Sequence, residues 1–137
     1  MKQAKLSWKV VSGVLVAHST DGPVPDSVFQ KFLETQRTGD FRAYLATTTG
    51  SSELTSVQRK ASTDALAARS IIAHVITDSR LVRGIVTAAS WLGLNAKAYA
   101  WEDIDKALVD IGKSIGLDDG DKEKIRTTVQ ELKALNE

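Results

Sequence analysis

At 137 residues, 42% of them hydrophobic, the chain has the size of one domain (residues 1–137) and enough apolar side chains for a continuous core. Eighteen Lys and Arg against 17 Asp and Glu leave a net charge of +1, too small to draw in a polyanion, so nucleic acid is not an expected partner. The lack of cysteine removes disulfides, thiolate metal sites and cysteine nucleophiles, and with only His18 and His74 as histidines no metal or cofactor is expected.

Leu6, Trp8 and Val10 alternate with Ser7 and Lys9, whereas Val14 to Ala17 is continuously apolar. The change from one-face to two-face burial predicts a hairpin with a half-exposed edge strand and a central strand, or one long strand bulged at Gly13. Lys9, Ser12 and Gly13 also cut the first apolar run below signal-peptide length, and no run reaches the roughly 20 apolar residues of a membrane span. A cytoplasmic protein with no membrane span is expected. Asp21-Gly22-Pro23-Val24-Pro25 breaks regular structure, after which Asp26 or Ser27 can cap a helix carrying Val28, Phe29, Phe32 and Leu33 and ending at Gly39.

Phe41, Ala43, Leu45 and Thr47-Thr48-Thr49 read as a short strand ending at Gly50. Ser51 and Ser52 stand where a helix cap is wanted, and Leu54, Val57, Ala61, Ala65 and Ala68 recur at helical spacing through Arg69. Ile71 to Ile76 is a β-branched strand. From Ser79 to Leu92 the polar positions Arg80, Arg83, Thr87 and Ser90 form only a narrow stripe, so that helix is either deeply buried or offers a second apolar face to a partner. Gly84 inside it suggests a close backbone neighbour. Ala96 to Trp101 supplies a last strand. Helices from about Glu102 to Ile115 and from about 121 to 136 complete the chain, the second appended to the domain. The expected fold class is α/β, a small, mixed, mostly parallel sheet in the order ββαβαβαα, covered by helices joined through right-handed crossovers.

The order of elements and the segment from Thr77-Asp78-Ser79-Arg80 through Trp91-Leu92-Gly93 resemble the SpoIIAA-like branch of the STAS superfamily, also called STAS/SEC14-like, over about Lys5 to Leu117. The resemblance implies an edge hairpin and parallel strands backed by helices, in a bacterial non-enzymatic signalling or interaction module. In anti-sigma factor antagonists of this kind a kinase phosphorylates a serine at the start of the helix after the Phe41–Thr48 strand. Ser51 and Ser52 hold that place and are the candidate phospho-switch, although those relatives carry an Asp-Ser pair where this chain has Gly50-Ser51-Ser52-Glu53. The SEC14-like relatives imply instead a lipid held between sheet and helices.

Parallel strands gather their following turns at one rim, here rich in hydroxyls and carboxylates, so His18, Asp21 and Asp78 form a candidate ligand rim. Helix capping accounts for the same Ser, Thr and Asp residues more economically. His18 with Asp21 or Asp78 and a serine has the parts of a triad, but the chain lacks the Gly-x-Ser-x-Gly elbow, and no catalytic residue is assigned. Gly-x-Gly-x-x-Gly and Walker-type runs are also missing. Trp8, Trp91 and Trp101 are read as core aromatics before partner anchors. The expected function is a protein-interaction or regulatory module binding another protein or a second copy through the Ser79–Leu92 helix (Leu81, Val82, Ile85, Trp91) and the adjacent Ser51–Arg69 helix. A binder of a small apolar or lipid-like ligand is the alternative.

Overall fold

The computed structural model describes residues 2–50, 52–91 and 95–135, and only the backbone at 85 and 87–91. Its strands are β1 (Leu6–Val11), β2 (Val14–Ser19), β3 (Gly22–Pro23), β4 (Ala43–Thr48), β5 (Ser52–Glu53), β6 (Ala73–Thr77) and β7 (Ala96–Tyr99). The helices are α1 (Asp26–Thr38), α2 (Ser56–Ala68), α3 (Arg80–Trp91), α4 (Ile104–Ile115) and α5 (Asp119–Leu135), with a 3-10 turn at Trp101–Asp103 before α4. The five-stranded sheet has the order β1-β2-β4-β6-β7. β1 is antiparallel to β2, and every other neighbouring pair is parallel.

The α/β class is as expected, and the hairpin is the form adopted. Its turn is Ser12-Gly13, both at positive φ, the geometry that matches strand twist in a two-residue loop. Setting the two-residue strands aside, the order is ββαβαβαβαα, one helix-strand unit longer than ββαβαβαα. The strand expected at Ala96 to Trp101 is present as β7, paired in register with β6, so the elements taken one by one are found and the order ββαβαβαα undercounts them by one unit.

Each step from β2 through β7 passes over a helix in the same direction, so right-handed crossovers place α1, α2 and α3 on one face. Leu15, Ala17 and Tyr44 meet Phe32 and Leu66 on that face. On the other, Val14, Val16, Leu45 and Ile76 meet Leu108 and Ile111 of α4 and Ile125, Val129 and Leu132 of α5. α5 lies across β1 and β2 and is tied to α4 by Arg126, which pairs with Asp105 and Glu123.

Two local expectations are corrected. Ser52 does not begin α2: it pairs with Gly22 in the β3–β5 ribbon, and α2 is capped by Thr55, whose hydroxyl accepts from Gln58 N–H while the Gln58 side chain accepts from Thr55 N–H. That reciprocal pair satisfies two end donors at once, which a lone serine upstream cannot do. Among the described residues Gly84 has no close neighbour, since a Cβ there would meet none of them within 4 Å.

Gln36 lies on the inward stripe of α1 with Phe29, Phe32 and Leu33, fully buried, and neither Nε2 nor Oε1 finds a partner among the described residues. A buried amide without partners costs about 1 to 3 kcal/mol. Gln36→Met, which keeps the volume and removes both polar atoms, is therefore expected to raise stability by about 1 kcal/mol or more. Urea unfolding decides it, and a less stable variant would show that the amide is satisfied.

Candidate functional site

The parallel strands deliver their C-terminal ends to one rim. β2 ends in His18 and Ser19, β4 in Thr47 and Thr48, and β6 in Thr77, and the register sets Thr47 beside His18 and Thr77 beside Thr48. His18 is buried, with Nδ1 2.8 Å from Thr47 Oγ1. The Thr47 hydroxyl spends its proton on Ala17 O at 2.9 Å, so it accepts from His18 Nδ1–H. Nε2 lies 3.4 Å from Thr49 Oγ1.

Gly50 joins the two rim carboxylates. Its N–H donates to Asp78 Oδ1 at 3.1 Å, and a Cβ on it would fall 2.0 Å from Asp21 Oδ1. With φ at +76° as well, no other residue fits this turn without moving Asp21. The remaining rim groups are turned on one another. Thr48 donates to Thr77 Oγ1, Thr77 Oγ1 accepts from Ser79 N–H, Ser79 Oγ accepts from Val82 N–H at the start of α3, and Arg83 donates to Thr77 O.

The loops after β6 and β7 leave toward opposite faces, the arrangement that opens a ligand crevice in open α/β sheets. Here Trp101 reaches back beneath the strand ends, and its Nε1–H donates to Thr48 O at 2.9 Å. The His18 ring lies 6.0 Å from the indole on one side, and Lys133 Nζ sits 4.6 Å over it on the other.

The structure thus gathers His18, Asp21 and Asp78 at one rim. Ser52 is half-buried in the ribbon beside them, and Ser51 lies outside the described residues. Leu81 is 74% exposed in the first turn of α3, Val82 is half-buried, and the side chains of Ile85 and Trp91 lie outside the described residues. On α2, Val57 is 77% exposed at one end of a groove of about 520 Å³ floored by Ala61, Ala65 and Ala68.

Sequence reasoning missed a second polar chain, at the other histidine. His74 is buried, with Nδ1 3.1 Å from Tyr99 Oη, and the Tyr99 hydroxyl donates to Asp110 Oδ2 at 2.6 Å. His74 must therefore be the donor to Tyr99. Burial, reinforced by Lys97 and opposed by Asp110, pushes its pKa down to about 4. Burial and the bond to Asp110 raise the Tyr99 hydroxyl, and that bond in turn lowers Asp110. The only sequence signal was the alternation that puts His74, Ile76 and Tyr99 on one face; Asp110 comes from α4, and its approach depends on packing.

No protein-family model matches this chain, and no curated protein sequence does.

His74 makes stability depend on pH with a definite sign. Above about pH 6.5 it is neutral folded and unfolded; between 6.5 and about 4 only the unfolded chain takes up the proton, so stability falls as pH falls, and below 4 the dependence ends. The loss across that window is on the order of 2 to 3 kcal/mol. His74→Gln should flatten the fall when unfolding free energy is measured at a series of pH values, and an unchanged slope would assign it to other groups.

Proposed function

We propose that this chain is a non-enzymatic regulatory module of the SpoIIAA-like, STAS kind, which works by offering the face of α3 and α2 to a protein partner. The observation that carries the reading is Leu81, standing 74% exposed at the start of α3 beside the open surface over Gly84. Covering such a large apolar side chain removes its area from water, which favours association with a partner. Val57, at a groove that the small residues of α2 line together with Arg37 of α1, is a second exposed apolar side chain on the neighbouring helix.

The rim supports the same reading. Its threonines, Ser79 and Asp78 hold turns and strand ends together, and His18 is buried among threonines, so the chemistry collected there is spent on the scaffold. The edge hairpin followed by parallel strands and covering helices is the architecture that the resemblance through Thr77–Gly93 implies. Phosphate on Ser52 would add about two negative charges next to the turn shared by Asp21 and Asp78, a placement that loosens the rim if a kinase reaches it.

A second reading, a small apolar ligand beneath α3, has its own observation. On the helix-covered face of β4, β6 and β7, the neighbouring residues Ala46, Ala73, Val75 and Ala98 are only half-buried, although β4 and β6 are central strands. An apolar ligand there would pack on these small side chains.

A photo-crosslinking amino acid at position 81, in the producing cell, should give one dominant adduct that is missing when the same group is placed at exposed Lys113. Equal labelling from both positions would sink the α3 interface. For the ligand, native mass spectrometry of gently purified protein should show an added apolar mass that Ala46→Phe removes from a folded chain. A ligand-free spectrum of the unmodified protein disposes of that reading.

A further inference from the structure

β1 is an outer strand, and no strand among the described residues pairs with its far side. The two-residue turn makes Val11 and Val14 a hydrogen-bonded pair, and the bond from Thr20 N–H to Lys5 O keeps the same parity at the other end. The N–H and C=O groups of Ser7, Lys9 and Val11 therefore face β2, while those of Leu6, Trp8 and Val10 point outward.

Beside this edge runs a groove of about 450 Å³ between β1 and α5, with Lys9 and Val11 on the strand and Glu123, Lys124, Thr127 and Glu131 on the helix. From Gly120 to Glu131 an α-helix rises about 17 Å, which is also about the span of a six-residue strand. On the strand, the groove opens along the Lys9–Val11 half of the edge. Asp121 bonds Ser12 at the hairpin, whereas Lys133 covers Trp101 at the His18 end, so α5 runs antiparallel to β1, and Glu123 and Glu131 line the groove with Lys9.

We propose that a second copy of this chain docks at this edge, β1 against β1 in antiparallel, joining the two sheets into one. A two-fold axis normal to the sheet keeps each face on its own side, so facing residues share parity. Among the registers parity allows, one sets Trp8 against Trp8 and Leu6 against Val10 of the second copy, and in it all three outward residues of each chain exchange both hydrogen bonds. Shifting to Trp8 against Val10 loses the Leu6 pairs and places Lys9 directly opposite itself, a like-charge contact. In the favoured register Lys9 falls opposite Ser7 of the second copy, away from its own image and beside the groove that Glu123 and Glu131 line. The mixed charges of the groove then complement themselves across the axis. On the opposite face, the pairing covers Val10, now 38% exposed.

Sedimentation equilibrium of the full chain should show a concentration-dependent dimer. Val10→Pro removes an outward N–H that the β1–β2 ladder does not use, and it should weaken the dimer by roughly tenfold or more while far-UV circular dichroism is unchanged. Ser7→Cys and Lys9→Cys chains, mixed and mildly oxidised, should form the mixed disulfide ahead of either like pair, because this register sets those Cα atoms about 4.5 Å apart. A monomer at every concentration, a dimer indifferent to Val10→Pro, or cysteine coupling with no preference for the mixed pair each overturns the proposal. None of these results bears on adducts formed at position 81, so this interface and the α3 interface fail separately.

Discussion

β2 is buried at all six of its residues and on both faces, and that single fact governs how the rest of the chain is laid out. A strand covered on both sides needs two separate layers of apolar side chains, one against Leu15 and Ala17 and one against Val14 and Val16. The crossover helices supply only the first, because right-handed connections that all advance in one direction keep them on one face. The second layer has to come from chain that is no longer linking strands. α4 and α5 are that chain, and Ile125, Val129 and Leu132 give α5 a core stripe of its own.

The same layout decides the character of the rim. Three crossovers leave upward and the last loop leaves downward, which in other open sheets creates a crevice for a ligand. In this chain the downward loop begins with Trp101, whose indole returns under the strand ends to Thr48 and is clasped by Lys133 from α5. The helix that completes the lower layer therefore also fixes the residue that fills the lower side of the rim. The Thr47 hydroxyl proton is committed to Ala17 O, which makes His18 Nδ1 the donor to Thr47, while Thr48 and Thr77 are joined to each other separately. The second histidine is fixed by the same logic from the opposite side: a tyrosine that must donate to Asp110 can only accept from His74.

Features governed by short periods along the chain were legible before any coordinates. The alternation of Leu6, Trp8 and Val10 against the unbroken run after Gly13 marked an edge strand and its central neighbour, and helical spacing placed every long helix. What escaped was set by competition or by distance. Ser51 and Ser52 looked like a helix cap, but Thr55 has Gln58 three residues on and so makes two end bonds, which shifts the start of α2 and frees Ser52 for the ribbon with Gly22. Gly84 suggests close packing, yet none of the described residues approaches it; a glycine's small size is compatible with crowding and with open surface alike. The rim residues His18, Asp21 and Asp78 could be grouped from strand order alone, whereas Lys133 over Trp101 and Asp110 beneath Tyr99 depend on how α4 and α5 return, which no local pattern encodes.

The two edges of the sheet show how unevenly that return protects the molecule. β7 is four residues long, and a short edge offers few groups to a stray strand. β1 has six residues, and α5 lies across its inner side without covering the outward groups of Leu6, Trp8 and Val10. Its one evident guard is Lys9, a charge on the edge that deters indiscriminate pairing. A single lysine cannot deter a partner that brings a carboxylate to it, and Glu123 and Glu131 of α5 line the groove beside it on the same chain. The guard against other strands thus doubles as the selector for a second copy, and the helix that closes the lower core carries the other half of that selection.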